Sequence, residues 1–406
     1  MRKDNITIIL AGGAGSRLEP LTNERTKPAV PFGGKYRIID FTLANCLHSG
    51  MRRILVLTQY KSFSLQKHLR DAWSIFNPEL NEYVTTVPPQ MRTSNFWYRG
   101  TADAIFQNLY LLKRSGAKRV LVLSGDHIYR MDYAALLKFH CDSQAEMTMA
   151  TMAVPVIDAT GFGVLSVDKD NRVKSFQEKP LKPATISNDS EHALVSMGVY
   201  VFSIDFLIQI LQTDAENENS GHDIGKDIIP HIIDKHAVYA YRFGSSQGRV
   251  TQDGYWRDVG TIDSFYEANM DLLKPLPPLD LYQPNWSIRN YQSQNPPLRA
   301  VPGATGGDGV FINSMATSGV VIEGGNVHNS ILFARVFIAD QAIIRNAILF
   351  DGVRVGAGAQ LTNCIVDKDV EIPAAELIGF DLEKDAERFT VSDKGIVVIP
   401  KNYTFT

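Results

Sequence analysis

The sequence predicts an α/β domain built on a mainly parallel sheet, followed by a parallel β-helix. From Ile6 to about Leu273, short apolar runs such as Arg53 to Leu57 and Arg119 to Leu123 alternate with longer amphipathic stretches such as Ala102 to Leu112 and Tyr133 to Cys141. That alternation is the signature of strands joined by crossover helices. After Gly306 the period becomes six: Val321, Val327, Phe333 and Ala339, then after a slip Ile343, Leu349, Val355 and Leu361, then Val366, Ile372 and Ile378. A six-residue apolar repeat suits short strands stacked in coils, although the strands of a β-sandwich give a similar one. Between the two patterns, from Lys274 to Pro302, seven prolines are interleaved with Tyr282, Trp286 and Tyr291. This stretch reads as an extended linker pinned by aromatics.

Composition sets the class. With 406 residues, 44% of them hydrophobic and 21% charged, the chain is long enough for more than one globular core. A net charge of −3 offers no basic field for nucleic acid or an anionic membrane. Cys46, Cys141 and Cys364 are widely spaced, which fits neither a disulfide framework nor a zinc site and points to a reducing cytoplasmic compartment. The first strand begins by Ile6, and no run approaches the roughly 18 apolar residues of a membrane span, so neither a leader peptide nor a membrane anchor is expected.

Chemistry begins at the first strand. Ile6 to Leu10 empties into Ala11-Gly12-Gly13-Ala14-Gly15-Ser16-Arg17, and Lys27-Pro28 follows ten residues after the arginine. Glycines at the carboxyl end of a buried strand present bare backbone N–H groups to an anion, and Arg17 and Lys27 add cations at the same place. The run lacks the Gly-Lys-Ser/Thr ending of a P-loop and the third glycine of a dinucleotide fingerprint. Asp126 closes a second buried strand in Ser124-Gly125-Asp126-His127, and Asp258 stands in Trp256-Arg257-Asp258-Val259. Two carboxylates at strand ends suit a Mg²⁺ ion shared with phosphate oxygens, while Asp126 alone reads equally well as a turn or helix cap. Glu178-Lys179 before Pro180 pairs a hydroxyl acceptor with a phosphate cation; without other residues it is a surface ion pair.

In order along the chain, Leu10 to Arg17, Lys27 to Val30, Phe32 to Phe41, Trp97 to Ala104, Gly125 to Tyr129, Phe162 to Val164, Glu178 to Pro180, Ser196 to Gly198, His222 to Asp227 and Tyr255 to Thr261 form a series that covers nearly the whole sequence. This series resembles the sugar-nucleotide pyrophosphorylases and, within them, the bacterial glucose-1-phosphate adenylyltransferases. The resemblance implies a Rossmann-like nucleotidyltransferase domain over 1–273, a linker over 274–305 and a left-handed β-helix over 306–406 serving regulation and oligomerisation. It also implies transfer of the adenylyl group of ATP to α-D-glucose 1-phosphate, with Mg²⁺, for glycogen synthesis in a homotetramer governed by small anionic effectors.

Position by position, the resemblance assigns Arg17, Lys27 and Asp126 to catalysis, and Asp126 with Asp258 to the metal. Leu10, Ala11, Gly12, Gly13, Gly15, Gly100 and Thr101 fall on ATP, and Tyr98, Gly163, Glu178, Lys179, Ser196, Tyr200 and Asp223 on glucose 1-phosphate. Gln59, Gln90, Trp97 and Arg99 are implied to relay effector signals, with ordinary loop packing the alternative, and Arg25, Arg37 and Arg52 to bind effectors. His127 reads as structural, since an ionised phosphate nucleophile needs no base. Three other readings stand beside this one: a nucleotidyltransferase for another NTP or hexose 1-phosphate, a non-catalytic regulatory subunit, and an acyltransferase, which would want a paired catalytic histidine in the repeat region after Gly306, where His328 is the only histidine.

Regulation departs from the enteric-type pattern. Glu24 stands where that enzyme, activated by fructose 1,6-bisphosphate, carries a lysine; Pro31 replaces a histidine tied to its inhibitor site, and the sequence ends at Thr404-Phe405-Thr406 without its basic tail. A carboxylate at Glu24 repels a bisphosphate. An effector screen in the synthesis direction is therefore expected to show weak or no activation by fructose 1,6-bisphosphate, and strong activation would refute the charge argument.

Overall fold

The computed structural model describes residues 4–90, 97–244, 248–250, 254–291 and 293–405. The amino-terminal domain is centred on Asn5–Ala11, which pairs in parallel with Arg53–Thr58 on one side and Arg119–Ser124 on the other. Tyr83–Val87 extends the first side, again in parallel. Ile6, Ile8 and Ile9 are buried together with Val120 to Leu123 and Ile54 to Leu57. Strands covered on both faces must be apolar at successive positions, which is why these runs do not alternate.

Beyond Arg119–Ser124 the sheet turns antiparallel through His192–Ser203, whose long strand also pairs with Met147–Pro155 and Gly163–Val167. Its register shifts between Ser196 and Tyr200, where Gly198 adopts φ +66°. The bulge turns Ser196 and Tyr200 toward one another, with 3.2 Å between their hydroxyl oxygens. Separately, His127–Tyr129 and Trp256–Asp258 form a two-stranded antiparallel ribbon at the sheet's carboxyl edge. The helix Tyr133–Asp142 starts from Asp132, whose side chain accepts the Ala134 N–H.

The second domain is a stack of parallel coils. Val321 pairs with Phe337, Phe337 with Arg354 and Arg354 with Glu371, while a second face runs from Asn326 through Ile343 and Gln360 to Leu377. Paired positions recur at intervals of 16 or 17 residues, short of three sixes, so the phase of the six-residue repeat shifts along the chain. Val320 and Ile322, Ile338, and Ala342 and Ile344 point into the coil, whereas Val321, Ala339 and Ile343 are only half-buried. Neighbouring residues of a short strand face opposite sides, so a one-residue slip at a corner exchanges inward and outward positions in the strand that follows. Corners at Asn329, Arg335 and Gln341 take positive φ and absorb those slips.

Phe333, placed in the same repeat, faces out of the coil instead. It meets Phe350 with ring centroids 5.0 Å apart, and Phe350 meets Phe265 of the amino-terminal domain at 6.5 Å, both edge-on. Ile331, Ile348, Ile365 and Val398 join Phe32, Phe41 and Phe265 in one continuous apolar core, so the two domains share a hydrophobic centre. A bidentate pair between Arg25 and Asp367, at 2.9 and 3.0 Å with both side chains buried, crosses the same junction. Removing one partner of a buried pair costs about 3–5 kcal/mol because the other charge is left behind.

The proline-rich stretch is fixed by one of the three aromatics expected to pin it. Trp286 is buried, stacks on His48 at 4.8 Å and donates its indole N–H to Asn45 Oδ1 at 2.9 Å. Tyr282 and Tyr291 are exposed. The first strand of the coil, Arg299–Val301, already pairs with Val321–Glu323, inside the segment read as linker. Among the described residues no helix is long and apolar enough to cross a membrane.

One buried histidine gives the fold a measurable acid limit. His140 is 3% exposed, lies 2.9 Å from the Thr148 hydroxyl and is pushed down from 6.5 to about 4 by burial, with Arg119 adding to the effect. As pH falls below 6.5 the unfolded chain takes up this proton first, so up to about 3 kcal/mol of stability is lost between pH 6.5 and 4. The urea midpoint of His140→Gln is expected to fall less steeply than that of the wild type across this window. Parallel slopes would exclude His140 as the cause.

Candidate functional site

The carboxyl ends of Asn5–Ala11 and Arg119–Ser124 lie side by side, and the chain beyond each is shaped by a glycine. Gly15 adopts φ +68°, and a Cβ there would come within 3.2 Å of both Lys27 Cβ and Thr22 Cγ2. Thr22 donates its hydroxyl to Gly15 O at 2.9 Å, closing the loop around the start of the turn Lys27–Ala29. Gly125 donates its N–H to Leu10 O at 3.1 Å, and a Cβ there would meet Ile9 Cγ2 at 3.0 Å. Only glycine lets the two strand ends approach this closely.

That approach brings three charges together. Lys27 Nζ lies 2.7 Å from Asp258 Oδ1 and 3.0 Å from Asp126 Oδ2, on a side chain only 8% exposed. Burial works against the ammonium, but Asp126 and Asp258 outweigh it and hold Lys27 above its ordinary value. Burial likewise opposes charge on Asp126, yet Lys27, His127 and Ser124 hold its carboxyl well below the usual carboxylate range. The side chain of Ser124 donates to Asp126 as well. Lys27 and Asp126 are therefore both ionised at neutral pH.

Asp126, His127 and Asp258 offer ligand atoms within 4.8 Å of one another. Two hard carboxylates beside a glycine loop suit Mg²⁺, which usually takes one or two protein carboxylates and fills its remaining positions with water and phosphate. His127 packs edge-on against Trp256 at 5.2 Å, its Nε2 lies 3.6 Å from Asp126 and 3.9 Å from Asp258, and its Nδ1 is buried with no hydrogen-bond partner among the described residues.

A cleft of about 600 Å³ opens over this cluster, lined by Leu10 to Arg17, Lys27, Gln59, Tyr60, Tyr98, Gly100, Thr101, Asp126 and Asp223. Arg17 is exposed in the turn Ser16–Leu18, with Nη2 3.3 Å from where a Cβ on Gly260 would sit; the carboxylate of Asp258 lies at the same distance from that point. Every residue assigned by sequence to ATP thus borders one cavity. Tyr98, assigned to the sugar phosphate, borders it too, its hydroxyl accepting from Asn108 at 3.0 Å.

The remaining sugar-phosphate candidates adjoin the cleft, with Asp223 also in its lining. A Cβ on Gly225 would lie 2.9 Å from Glu178 Oε2 and 3.3 Å from Asp223 Oδ1, and one on Gly163 would lie 3.0 Å from Glu178 Oε2. Tyr200, bonded to Ser196, is buried beside Glu178 and Asp223; burial and these carboxylates keep its phenol protonated. Lys179 pairs with Glu178 at 3.2 Å on an exposed, positive-φ turn.

Of the residues linked to effector signalling, Gln59 lines the cleft and Trp97 stacks on Tyr60 at 4.8 Å. Gln90 donates to Pro88 O at 2.9 Å and Arg99 lies 3.8 Å from Asp103, both outside the cleft lining. Arg25 and Arg37 border a second depression, of about 360 Å³, at the domain junction; Arg52 does not, and instead donates to Leu47 O and lies over Phe76. Lys61, Lys67, Lys368 and Lys401 complete its rim, and the sequence gives no sign of this, because no local motif gathers them. Glu24 reaches into the same rim and pairs with Lys401 at 2.7 Å.

Residues 6–275 match the nucleotidyl transferase family, and residues 296–399 match the GlmU-like C-terminal hexapeptide family, which makes the coil a left-handed β-helix. The chain is 58% identical over 404 residues to "Glucose-1-phosphate adenylyltransferase 2" of Vibrio cholerae, covering 100% of this chain and 99% of that protein. It is 61% identical over 403 residues to the Vibrio parahaemolyticus protein of the same name, covering 99% and 100% respectively. Against "Glucose-1-phosphate adenylyltransferase" of Methylobacillus flagellatus the identity is 44% over 400 residues, with 98% and 94% covered. With the ordered motif series, the phosphate cradle and these end-to-end matches in place, the chain belongs to the glucose-1-phosphate adenylyltransferase family.

Proposed function

We propose that this chain transfers the adenylyl group of ATP to α-D-glucose 1-phosphate, releasing pyrophosphate and forming ADP-glucose for glycogen synthesis. The observation that carries the reading is Lys27 Nζ held between Asp126 and Asp258 beside the glycine loop. A phosphate oxygen of glucose 1-phosphate attacks the α-phosphorus of ATP, and the bond from that phosphorus to the β-phosphate oxygen breaks. Both reactants are anions and the nucleophile is already ionised, so catalysis consists of alignment and charge neutralisation.

Backbone N–H groups of Gly12, Gly13 and Gly15 face the triphosphate, and Arg17 and Lys27 balance the charge that collects on the departing pyrophosphate. Asp126 and Asp258 would hold Mg²⁺, which supplies Lewis-acid polarisation of the phosphoryl oxygens when bound. Lys179 takes the sugar phosphate, while Glu178, Asp223, Ser196 and Tyr200 accept from or donate to glucose hydroxyls. The cationic rim around Arg25 and Arg37 receives a small anionic effector. The family resemblance supports a cytoplasmic homotetramer.

Incubating the purified chain with Mg²⁺, each NTP and each hexose 1-phosphate, and measuring pyrophosphate, tests the reading; release only with ATP and glucose 1-phosphate is expected. Asp126→Asn is expected to fold normally and lose about 10²-fold or more in kcat, since a charge at the reacting phosphates is removed. Near-normal turnover would take Asp126 out of the mechanism. Lys179→Ala is expected to raise KM for glucose 1-phosphate about tenfold or more while KM for ATP moves less than about threefold. Equal changes in both would contradict its role.

A further inference from the structure

Thr101 borders the nucleotide cleft, yet its hydroxyl is engaged on the sugar side. Its Oγ1 donates to Asp223 Oδ2 at 3.0 Å and accepts the Ile224 N–H at 2.9 Å. A hydroxyl has one proton to give, so donation to Asp223 leaves none for a nucleotide.

The backbone around it is fixed to match. Gly100 has no room for a side chain, since a Cβ there would overlap His222 O. That carbonyl accepts the Ala102 N–H at 2.8 Å. His222 is buried at φ 54°, and its Nδ1 lies 2.8 Å from Asp214 Oδ2, so the segment that receives Thr101 is itself held in place. Asp223 Oδ1 accepts the Lys226 N–H at 3.0 Å, which leaves Thr101 as the side-chain donor on the other carboxylate oxygen among the described residues.

We propose that Thr101 is a positioning residue for the sugar-phosphate subsite: its hydroxyl fixes the Asp223 carboxylate, so that the wall of the nucleotide cleft and the glucose-reading carboxylates are one rigid unit. The proposal rests on the reading of Asp223 as a glucose contact. Asp223 and Glu178 flank Gly225, where a Cβ would lie 3.3 Å from Asp223 Oδ1 and 2.9 Å from Glu178 Oε2, so both carboxylates border the same point. Without the threonine hydroxyl, the carboxylate loses one anchor and the Ile224 N–H loses its acceptor.

Steady-state kinetics of the full chain with Mg²⁺, ATP and glucose 1-phosphate test it on Thr101→Val and Thr101→Ser. Thr101→Val is expected to raise KM for glucose 1-phosphate about tenfold while KM for ATP stays within about twofold, and Thr101→Ser to restore the first value to within about threefold. An equal or larger rise in KM for ATP, or failure of serine to restore, overturns the proposal. If Thr101→Val does not fold, Thr101→Ala takes its place: the same selective rise in KM for glucose 1-phosphate supports the proposal, and an equal rise for ATP overturns it. Absence of pyrophosphate release by the wild type would instead overturn the functional reading, and this proposal with it.

Discussion

The site depends on one buried ammonium between two carboxylates. Asp126 and Asp258 come from segments far apart in sequence, and two like charges at this separation would repel in a partly buried cleft. Lys27 offsets that repulsion and stays charged because both acids face it. The surrounding architecture serves this contact. Gly15 gives up its side chain so that Lys27 can pass, Gly125 lets two strand ends meet, and the ribbon Trp256–Asp258 carries the second acid back over the sheet.

The same ammonium links chemistry to the domain junction. Arg25, two residues before Lys27, is tied by a bidentate contact to Asp367 in the β-helix, and Glu24 next to it pairs with Lys401. The β-helix is joined to the amino-terminal domain through a shared aromatic core at Phe265, Phe333 and Phe350. Short stretches of chain thus connect a cationic rim to Lys27, with buried contacts on both sides.

How much is legible differs by kind of signal. The glycine loop, the buried parallel strands and the acids at their ends are readable, because each rests on neighbours in sequence and on a burial pattern that parallel sheets impose. The phase of the β-helix is legible in part: Val327, Leu349, Val355, Leu361, Val366, Ile372 and Ile378 are buried in the coil as the count places them. Val321, Ala339 and Ile343 match the six-residue count, but positive-φ corners shift the register, so the inward side passes to Val320, Ile322, Ile338 and Ile344. Residue type groups Arg52 with Arg25 and Arg37, and the fold sends it to Leu47 and Phe76. Tyr282 and Tyr291 carry the same aromatic signal as Trp286, yet Trp286 is the one that finds Asn45 and His48.

The sequence by itself determined that strands end in glycines and acids, that an apolar repeat follows, and that the ordered motifs belong to one family. These are local properties, set by side-chain size, backbone freedom and periodicity over a few residues. Tertiary structure alone decided that Lys27 reaches both Asp126 and Asp258, that Phe333 turns toward the other domain, that the Thr101 hydroxyl donates to Asp223, and that distant lysines ring one depression. Electrostatic and packing contacts act over a few ångströms in space, and only the folded chain sets which residues come within that reach.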